Sequence, residues 1–175
     1  MAERDRGRGG HDPSRRLERY TAACLTVSDR CASGAQEDRS GPRLAVLAEA
    51  CGAVVAHTGL VPDEIETIRR TLLGWLTAPE PPRLILTTGG TGPTRRDVTP
   101  EATEPLLERR FPGIEEALRR TGLAEVPTAV LGRGLAGTAG KTLIVNLPGS
   151  PSAVDDAHSV LVPVVGHLLL QLERV

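Results

Sequence analysis

Hydrophobic positions along the chain form two alternating kinds of segment. Short runs rich in Val, Ile, Leu and Thr are typical of strands buried on both faces, whereas apolar residues spaced three or four apart predict helices with one buried stripe. The predicted strands are residues 21–28, 53–61, 83–88, 128–134 and 142–148. The predicted helices are residues 42–51, 63–76, 99–110, 113–122 and 151–173, the last interrupted or kinked near Pro163. This alternation predicts one three-layer α/β domain, in which helices flank a mostly parallel sheet.

Several predicted helices begin with residues that suit a capping role. Asp63 is followed three residues later by Glu66, the pattern of an N-cap with its capping-box partner. Capping alone would account for Asp63, and catalysis is the other interpretation. Thr99 and Ser150 are each followed by proline, which suits the first helical position. At Ser150 the same geometry also presents free N–H groups to an anion, and both roles can hold together.

Residues 1–19 differ from the rest of the chain. They are rich in Arg and Gly and contain almost no apolar side chains. Such a segment buries too little surface to offset the entropy lost on ordering. We therefore predict a flexible N-terminal arm over residues 1–19 and a folded domain over residues 20–175.

Composition and charge narrow the classes of partner. Aromatic residues make up 2% of the chain and the net charge is −1, so neither base stacking nor a basic field favours a nucleic-acid partner. No apolar run approaches 18 residues, and no secretory signal is recognisable at the N-terminus. The three cysteines match no zinc spacing. We expect a cytoplasmic protein with reduced thiols and no membrane contact.

A glycine-rich segment, Thr88-Gly89-Gly90-Thr91-Gly92, follows the predicted strand 83–88. In parallel sheets ligands bind beyond the carboxyl ends of the strands, where this loop lies. Its glycines allow positive φ angles and close approach of the backbone to a ligand, so successive N–H groups can converge on a phosphate. A tight structural turn is the alternative interpretation.

Charged residues extend this loop. Arg95 and Arg96 suit the recognition of phosphate, and Asp97 suits a magnesium site beside bound phosphates. The alternative is a solvated loop with an internal Arg–Asp pair. Lys141, the sole lysine, follows Gly140 and resembles the end of a P-loop, but the required glycine is absent at Leu135 and the segment enters a strand. Lys141 either reaches a phosphate from the strand start or faces solvent.

Two other enzyme classes are disfavoured by the loops. The turn after Ser28 lacks the G-x-G-x-x-G spacing of a nicotinamide-binding Rossmann fold. Cys31, in the same turn, has no nearby base that would activate it as a nucleophile. The loops therefore favour chemistry by phosphate binding over covalent catalysis.

Four ordered segments resemble the molybdopterin adenylyltransferase family (MogA/MoaB type). They are TVSDR at 26–30, VPDE at 61–64, LTTGGTG at 86–92 continuing through RRDVTPEA at 95–102, and NLPGSP at 146–151. Their order and spacing agree with the family, so the resemblance covers residues 21–173. It implies the molybdopterin-binding fold, commonly as a homotrimer.

The resemblance also implies site residues and ligands. Asp63 and Asp97 become the catalytic acidic residues, which we expect to hold Mg²⁺. The predicted contacts with the substrates, ATP and molybdopterin, are Ser28, Asp29, Thr88, Gly89, Gly90, Thr91, Gly92, Asn146, Pro148, Gly149 and Ser150, with Lys141 as a further phosphate contact. The product would be handed over to a molybdenum-insertion protein.

The implied reaction transfers AMP from ATP to the terminal phosphate of molybdopterin and releases pyrophosphate. Since the attacking phosphate is already anionic near neutral pH, catalysis needs positioning and charge neutralisation more than a general base. A non-catalytic molybdopterin-binding module is the alternative. The related molybdenum-inserting domain normally comes with further domains, for which 175 residues leave no room.

Overall fold

The computed structural model describes residues 20–174, which form one α/β domain around a six-stranded sheet. The strands are β1 Tyr20–Val27, β2 Ala53–Val61, β3 Leu84–Thr88, β4 Arg109–Arg110, β5 Ala136–Ala139 and β6 Thr142–Leu147. The helices are α1 Asp29–Ala32, α2 Ser40–Ala50, α3 Ile65–Leu76, α4 Thr99–Thr103, α5 Pro112–Glu125, α6 Pro151–Asp156 and α7 His158–Glu173. The predicted arm, residues 1–19, lies outside the described residues.

The sheet order is β2-β1-β3-β6-β5-β4. β2, β1, β3 and β6 run parallel, whereas β5 and β4 continue the sheet in antiparallel fashion. Thr88 at the end of β3 pairs with Thr26 of β1 and Leu147 of β6. The carboxyl ends of three parallel strands therefore meet at one edge, and the loops that follow them come together there.

Two apolar layers cover the sheet. Leu44 of α2 and Leu161 of α7 are fully buried in the layer on one face, and Ile68 of α3 in the layer on the other. β3 and β6 are buried at every position, because helices lie on both sides of them. This packing fixes the strand ends that carry the polar loops. Within residues 20–174, the helices are too short or too polar to cross a membrane.

The predicted single α/β domain with a mostly parallel sheet is confirmed, but some predicted elements are wrong. The helix predicted over 99–110 ends at Thr103 and continues as a 3₁₀ segment, Glu104–Leu106. Pro105 has no N–H to continue the helical hydrogen bonds. Residues 109–110 instead add an edge strand to the sheet.

Three further boundaries differ from the prediction. The segment predicted as a strand over 128–134 begins as a 3₁₀ helix, Pro127–Leu131, and the strand follows as β5. Residues 29–41, between the predicted strand 21–28 and the predicted helix 42–51, contain the one-turn helix α1. The final helical region breaks at Ala157 between α6 and α7, while Pro163 lies inside α7.

Candidate active site

A cavity of about 480 Å³ opens at the edge where the parallel strands end. One side is the glycine-rich loop with Asp97, and another is the turn of residues 148–150 after β6. The third side is α5 together with the 3₁₀ helix that follows it. The volume is that of a pocket for an ordinary small-molecule ligand.

The first two glycines of the loop have a backbone conformation that other residues rarely adopt. Gly89 has φ 100° and Gly90 has φ 62°. A Cβ on Gly89 would lie 2.1 Å from the carbonyl oxygen of Val27, and one on Gly90 would lie 2.4 Å from the Thr99 hydroxyl. Both positions therefore require glycine on conformational and steric grounds.

Hydrogen bonds join the glycine loop to the turn after β6. The Thr88 hydroxyl donates to the carbonyl of Pro148 at 2.7 Å, and the N–H of Gly89 donates to the carbonyl of Leu147 at 3.1 Å. A Cβ on Gly149 would lie 3.2 Å from the Cα of Gly89, so the two backbones are in close contact. The two walls of the cavity are thus one connected unit.

Thr99 forms two hydrogen bonds with the glycine loop. Its N–H donates to the carbonyl of Gly90, and its buried hydroxyl donates to the carbonyl of Gly89, both at 2.9 Å. The prediction that Thr99 caps the following helix is wrong, because it lies within α4 and its hydroxyl is turned toward the loop. Thr91 is buried in the same loop and lines the cavity.

Asp63 lies beside Gly90 but does not line the cavity. Its Oδ1 would lie 2.9 Å from a Cβ placed on Gly90, while its Oδ2 accepts the N–H of Asp29 at 2.9 Å. Burial raises the pKa of Asp63 above its usual value, although the hydrogen bond from Asp29 opposes the shift. The capping interpretation is wrong: α3 begins after Glu64 with no side-chain cap.

Asp29 is held by Arg96. The guanidinium donates to Oδ2 of Asp29 through Nε at 3.0 Å and Nη2 at 2.5 Å. These hydrogen bonds, with one from the N–H of Asp63, hold the pKa of Asp29 below its usual value. Arg96, predicted as a phosphate ligand, therefore has a carboxylate partner here, while Arg95 is exposed to solvent.

Asp97 lines the cavity beside Gly92. Its Oδ2 accepts the N–H of Thr94 at 2.9 Å and the Thr94 hydroxyl at 2.5 Å. Burial acts to raise the pKa of Asp97, but the hydrogen bonds from Thr94 and Gly92 and the charge of Arg133 outweigh it, and the net shift is downward. Asp97 is therefore an ionised carboxylate at the cavity wall.

Asp63 and Asp97 are the two predicted magnesium ligands. Their side chains follow the same loop, near Gly90 and Gly92 respectively, and the charge of Asp97 is close enough to act on Asp63. Across residues 20–174 no group of three or more His, Cys, Asp or Glu side chains gathers at one point. Mg²⁺ takes one or two carboxylates and fills the rest of its shell with waters and substrate phosphates, so this pair suits it.

Two serines at the strand ends act as helix caps. Ser28 Oγ accepts the N–H of Cys31 at 3.3 Å and starts α1. Ser150 Oγ accepts the N–H of Ala153 at 3.3 Å and starts α6, which confirms the predicted cap. Ser150 also lines the cavity, together with Pro148 and Gly149.

Of two other predicted contacts, Asn146 lines the cavity and Lys141 does not. Asn146 is buried and joins three elements: Oδ1 accepts the N–H of Leu135, while Nδ2 donates to the hydroxyls of Thr87 and Thr103. Lys141 precedes the first residue of β6, whereas the cavity lies beyond its last residue, Leu147. The structure does not bring Lys141 to the cavity, because the strand separates the two ends.

Sequence reasoning missed several side chains around the cavity. Arg133 contacts the carbonyls of the loop, and buried Glu115 binds Arg110 from the cavity wall. Arg119 and Asp156 also line the cavity. Their positions depend on how α5 and α6 pack against the sheet, and no local motif marks them.

Comparison with known proteins places the chain in a family. The family model described as "Probable molybdopterin binding domain" matches residues 23–167. A protein named molybdopterin adenylyltransferase from Helicobacter pylori is 39% identical over 143 residues, covering 81% of each chain. The Escherichia coli protein of the same name is 40% identical over 134 residues, covering 75% of this chain and 68% of its own.

Longer relatives and solved structures match as well. Gephyrin of Dictyostelium discoideum is 40% identical over 90% of this chain, and the match covers 23% of gephyrin's length. The match with the Drosophila melanogaster protein cinnamon covers 26% of that protein's length. The crystal structure of the molybdopterin biosynthesis enzyme MoaB from Thermus thermophilus superposes with a TM-score of 0.81 at 40% identity, covering 87% of this chain and 96% of that one.

Proposed function

The chain belongs to the family of probable molybdopterin-binding domains, and from that membership we propose that it is a molybdopterin adenylyltransferase. It binds molybdopterin and transfers AMP from ATP to the terminal phosphate, releasing pyrophosphate. Relatives of similar length that carry this name are about 40% identical over most of the chain.

One observation supports the proposal above the others. The glycine loop, with positive φ at Gly89 and Gly90, has Asp63 beside Gly90 and Asp97 beside Gly92, and Gly90, Gly92 and Asp97 line a ligand-sized cavity. The N–H groups of Gly89 and Gly92 are bonded within the protein, and a loop of this kind can turn its other N–H groups toward phosphate oxygens. Two carboxylates beside it suit a reaction in which negative charge must be neutralised and oriented.

The chemistry follows from the charges of the reactants. An oxygen of the pterin phosphate attacks the α-phosphorus of ATP, forming a new P–O bond. The bond between the α-phosphorus and the bridging oxygen breaks, and pyrophosphate leaves with that electron pair. Because the nucleophile is already anionic, the protein has to align the two phosphates and offset their repulsion.

The residue roles are part of the same proposal. Asp97 and Asp63 hold Mg²⁺, which neutralises charge on the phosphate oxygens when it is bound. The glycine loop and the turn after β6 receive the substrates. The proposed contacts are Ser28, Asp29, Thr88, Gly89, Gly90, Thr91, Gly92, Asn146, Pro148, Gly149 and Ser150; Lys141 is no longer among them. The wider proposal is a cytoplasmic homotrimer that hands its product to a molybdenum-insertion protein.

The test is direct assay of AMP transfer. Purified protein is mixed with molybdopterin, ATP and Mg²⁺, and adenylated pterin and pyrophosphate are followed over time. We expect Asp97→Asn to lower the rate on the order of 10²–10³-fold, comparable with losing one electrostatic partner of the transition state.

Asp38→Asn is the matched control. Asp38 also accepts two local hydrogen bonds, from the N–H groups of Ser40 and Gly41, but at the start of α2. Asparagine caps helices as well as aspartate does, so this variant should transfer AMP at the wild-type rate. Pterin binding without product, in both the wild type and the variants, would favour a non-catalytic binding module.

A further inference from the structure

We propose that Arg133 is a positioning residue, which holds the glycine loop and the backbone of Asp97 in the arrangement needed for AMP transfer. The inference rests on the proposed function. It names a residue outside the segments that carry the family resemblance, and one that does not itself line the cavity. Its neighbours Gly132 and Gly134 do line the cavity, whereas the Arg133 side chain is turned into the loop.

Arg133 makes three contacts with the loop and one with α4. Its N–H donates to the carbonyl of Thr91 at 2.9 Å. In the side chain, Nε donates to the carbonyl of Gly92 at 2.8 Å and Nη2 to the carbonyl of Asp97 at 2.6 Å. Nη1 forms a short ion pair with Glu101. Arg133 therefore binds both ends of the stretch from Gly92 to Asp97, and it also binds the start of α4.

This stretch needs external support because, apart from the ion pair between Arg96 and Asp29, little outside it holds it in place. Residues 93–96 are exposed, so they gain almost nothing from the core. Their internal bonds are local, such as the one from the N–H of Asp97 to the carbonyl of Thr94 at 3.1 Å. Ordering exposed backbone costs conformational entropy, and contacts from a fixed neighbouring element offset that cost.

The guanidinium is suited to this task by its shape. Its planar fork carries several donors in fixed directions, so it can satisfy two carbonyls and a carboxylate at once. A lysine ammonium has the same charge but no fixed fork. Because Arg133 follows the 3₁₀ helix on the opposite wall of the cavity, its fork also fixes the distance between that wall and Asp97.

The experiment compares three variants in the full chain: Arg133→Met, Arg133→Lys and Arg83→Met. Arg83 is a matched control, because its Nε donates to the carbonyl of Lys141 at 2.9 Å, its Nη2 donates to the carbonyl of Leu169 at 3.3 Å, and Glu173 lies 3.8 Å away. It makes the same kinds of polar contact at the opposite end of the sheet and also lies over the Tyr20 ring. Thermal unfolding checks that each variant is folded.

Two readouts are measured. Hydrogen–deuterium exchange of the amides of residues 89–101 is followed in the ligand-free protein, and kcat and KM for ATP are measured in the AMP-transfer assay. We expect both Arg133 variants to exchange faster in this loop and to lose kcat on the order of 10²-fold with KM close to that of the wild type. Arg83→Met should leave both readouts unchanged.

The outcomes separate this inference from the proposed function. Unchanged loop exchange in Arg133→Met would overturn the inference, and so would wild-type kcat in Arg133→Lys, since the fork would then be unnecessary. If the wild type itself transfers no AMP, the proposed function fails. The exchange measurement then still decides whether Arg133 holds the loop.

Discussion

Asp29 and Asp63, 34 residues apart in the chain, each donate their backbone N–H to the other's carboxylate. The two distances are 2.9 Å to Oδ2 of Asp63 and 3.0 Å to Oδ1 of Asp29. The pair joins the loops after β1 and β2 and leaves Oδ1 of Asp63 directed at Gly90. Asp63 thus has both a structural contact and a carboxylate oxygen available beside the glycine loop.

Replacing Asp63 by Asn and by Ala should separate these two roles. Asn keeps a carbonyl oxygen that can accept the N–H of Asp29, so Asp63→Asn should fold with wild-type stability while AMP transfer falls on the order of 10²-fold. Asp63→Ala leaves that half-buried N–H without its partner and should also lose about 1 kcal/mol of unfolding free energy. Urea denaturation and the transfer assay measure the two effects. If Asp63→Asn transferred AMP at the wild-type rate, the negative charge of Asp63 would have no role in the reaction.

Alanine at Gly90 should damage both the fold and the site, and Gly34 provides the control. Both glycines have positive φ, 62° at Gly90 and 75° at Gly34, so alanine costs about 1–2 kcal/mol at either position. A Cβ at Gly34 meets nothing within 4 Å, whereas one at Gly90 meets Thr99 Oγ1 at 2.4 Å and Asp63 Oδ1 at 2.9 Å.

We therefore expect Gly90→Ala to be less stable than Gly34→Ala by about 1–3 kcal/mol, the usual cost of overpacking. It should also lose AMP transfer, because the clash displaces Asp63, while Gly34→Ala keeps it. Urea denaturation and the transfer assay are compared for the two variants. Equal stability and equal activity would show that the space around Gly90 is not needed.

The sequence predicts local features of the site better than long-range ones. The glycine loop and Asp97 form one continuous segment, so composition and order were enough to mark them. Asp63 has a capping pattern within its own helix start, and its actual partner, Asp29, lies on another strand's loop. Nothing within four residues of Asp63 distinguishes the two arrangements.

The same limit explains the errors in the fold. The parallel strands have short runs rich in apolar and β-branched residues, and the predicted bounds agree with the structure within one or two residues. The segment after α5 is apolar too, but it forms a 3₁₀ helix, Pro127–Leu131, that is exposed at the cavity rim. Arg133 follows this segment, and its contacts with Gly92 and Asp97 depend on how the chain folds back across about 40 residues.

The three cysteines should differ in their reactivity with a thiol reagent. Cys24 and Cys51 are buried, and burial raises the pKa of each thiol to about 12. Cys31 is partly exposed, and all three thiols are free. At pH 8 the native protein should therefore react rapidly at one thiol, and Cys31→Ser should abolish that reaction. In urea the wild type should react at all three; rapid reaction of two or three thiols in the native protein would contradict the burial.

Glu101 should make the stability of the ligand-free protein depend on pH. The hydrogen bond from Arg133 holds the pKa of Glu101 below its usual value, although burial opposes the shift. A carboxylate with a lowered folded pKa contributes stability above its unfolded pKa, near 4.3. That contribution is lost as the pH falls through the folded pKa. Glu101→Gln should thus be less stable than the wild type at pH 7, and the difference should shrink as the pH falls below about 4.

Urea denaturation from pH 7 down to pH 3 tests this expectation. Glu116→Gln is the control, because Glu116 pairs with Arg120 at 2.7 Å on the exposed face of α5. Such surface pairs contribute about 0–1 kcal/mol, so this variant should stay near the wild type throughout. In a protein that already carries Arg133→Met, adding Glu101→Gln should no longer lower the stability at pH 7, since the guanidinium is the source of the effect. If the difference in stability between Glu101→Gln and the wild type stayed constant with pH, the charge of Glu101 would contribute no stability through Arg133.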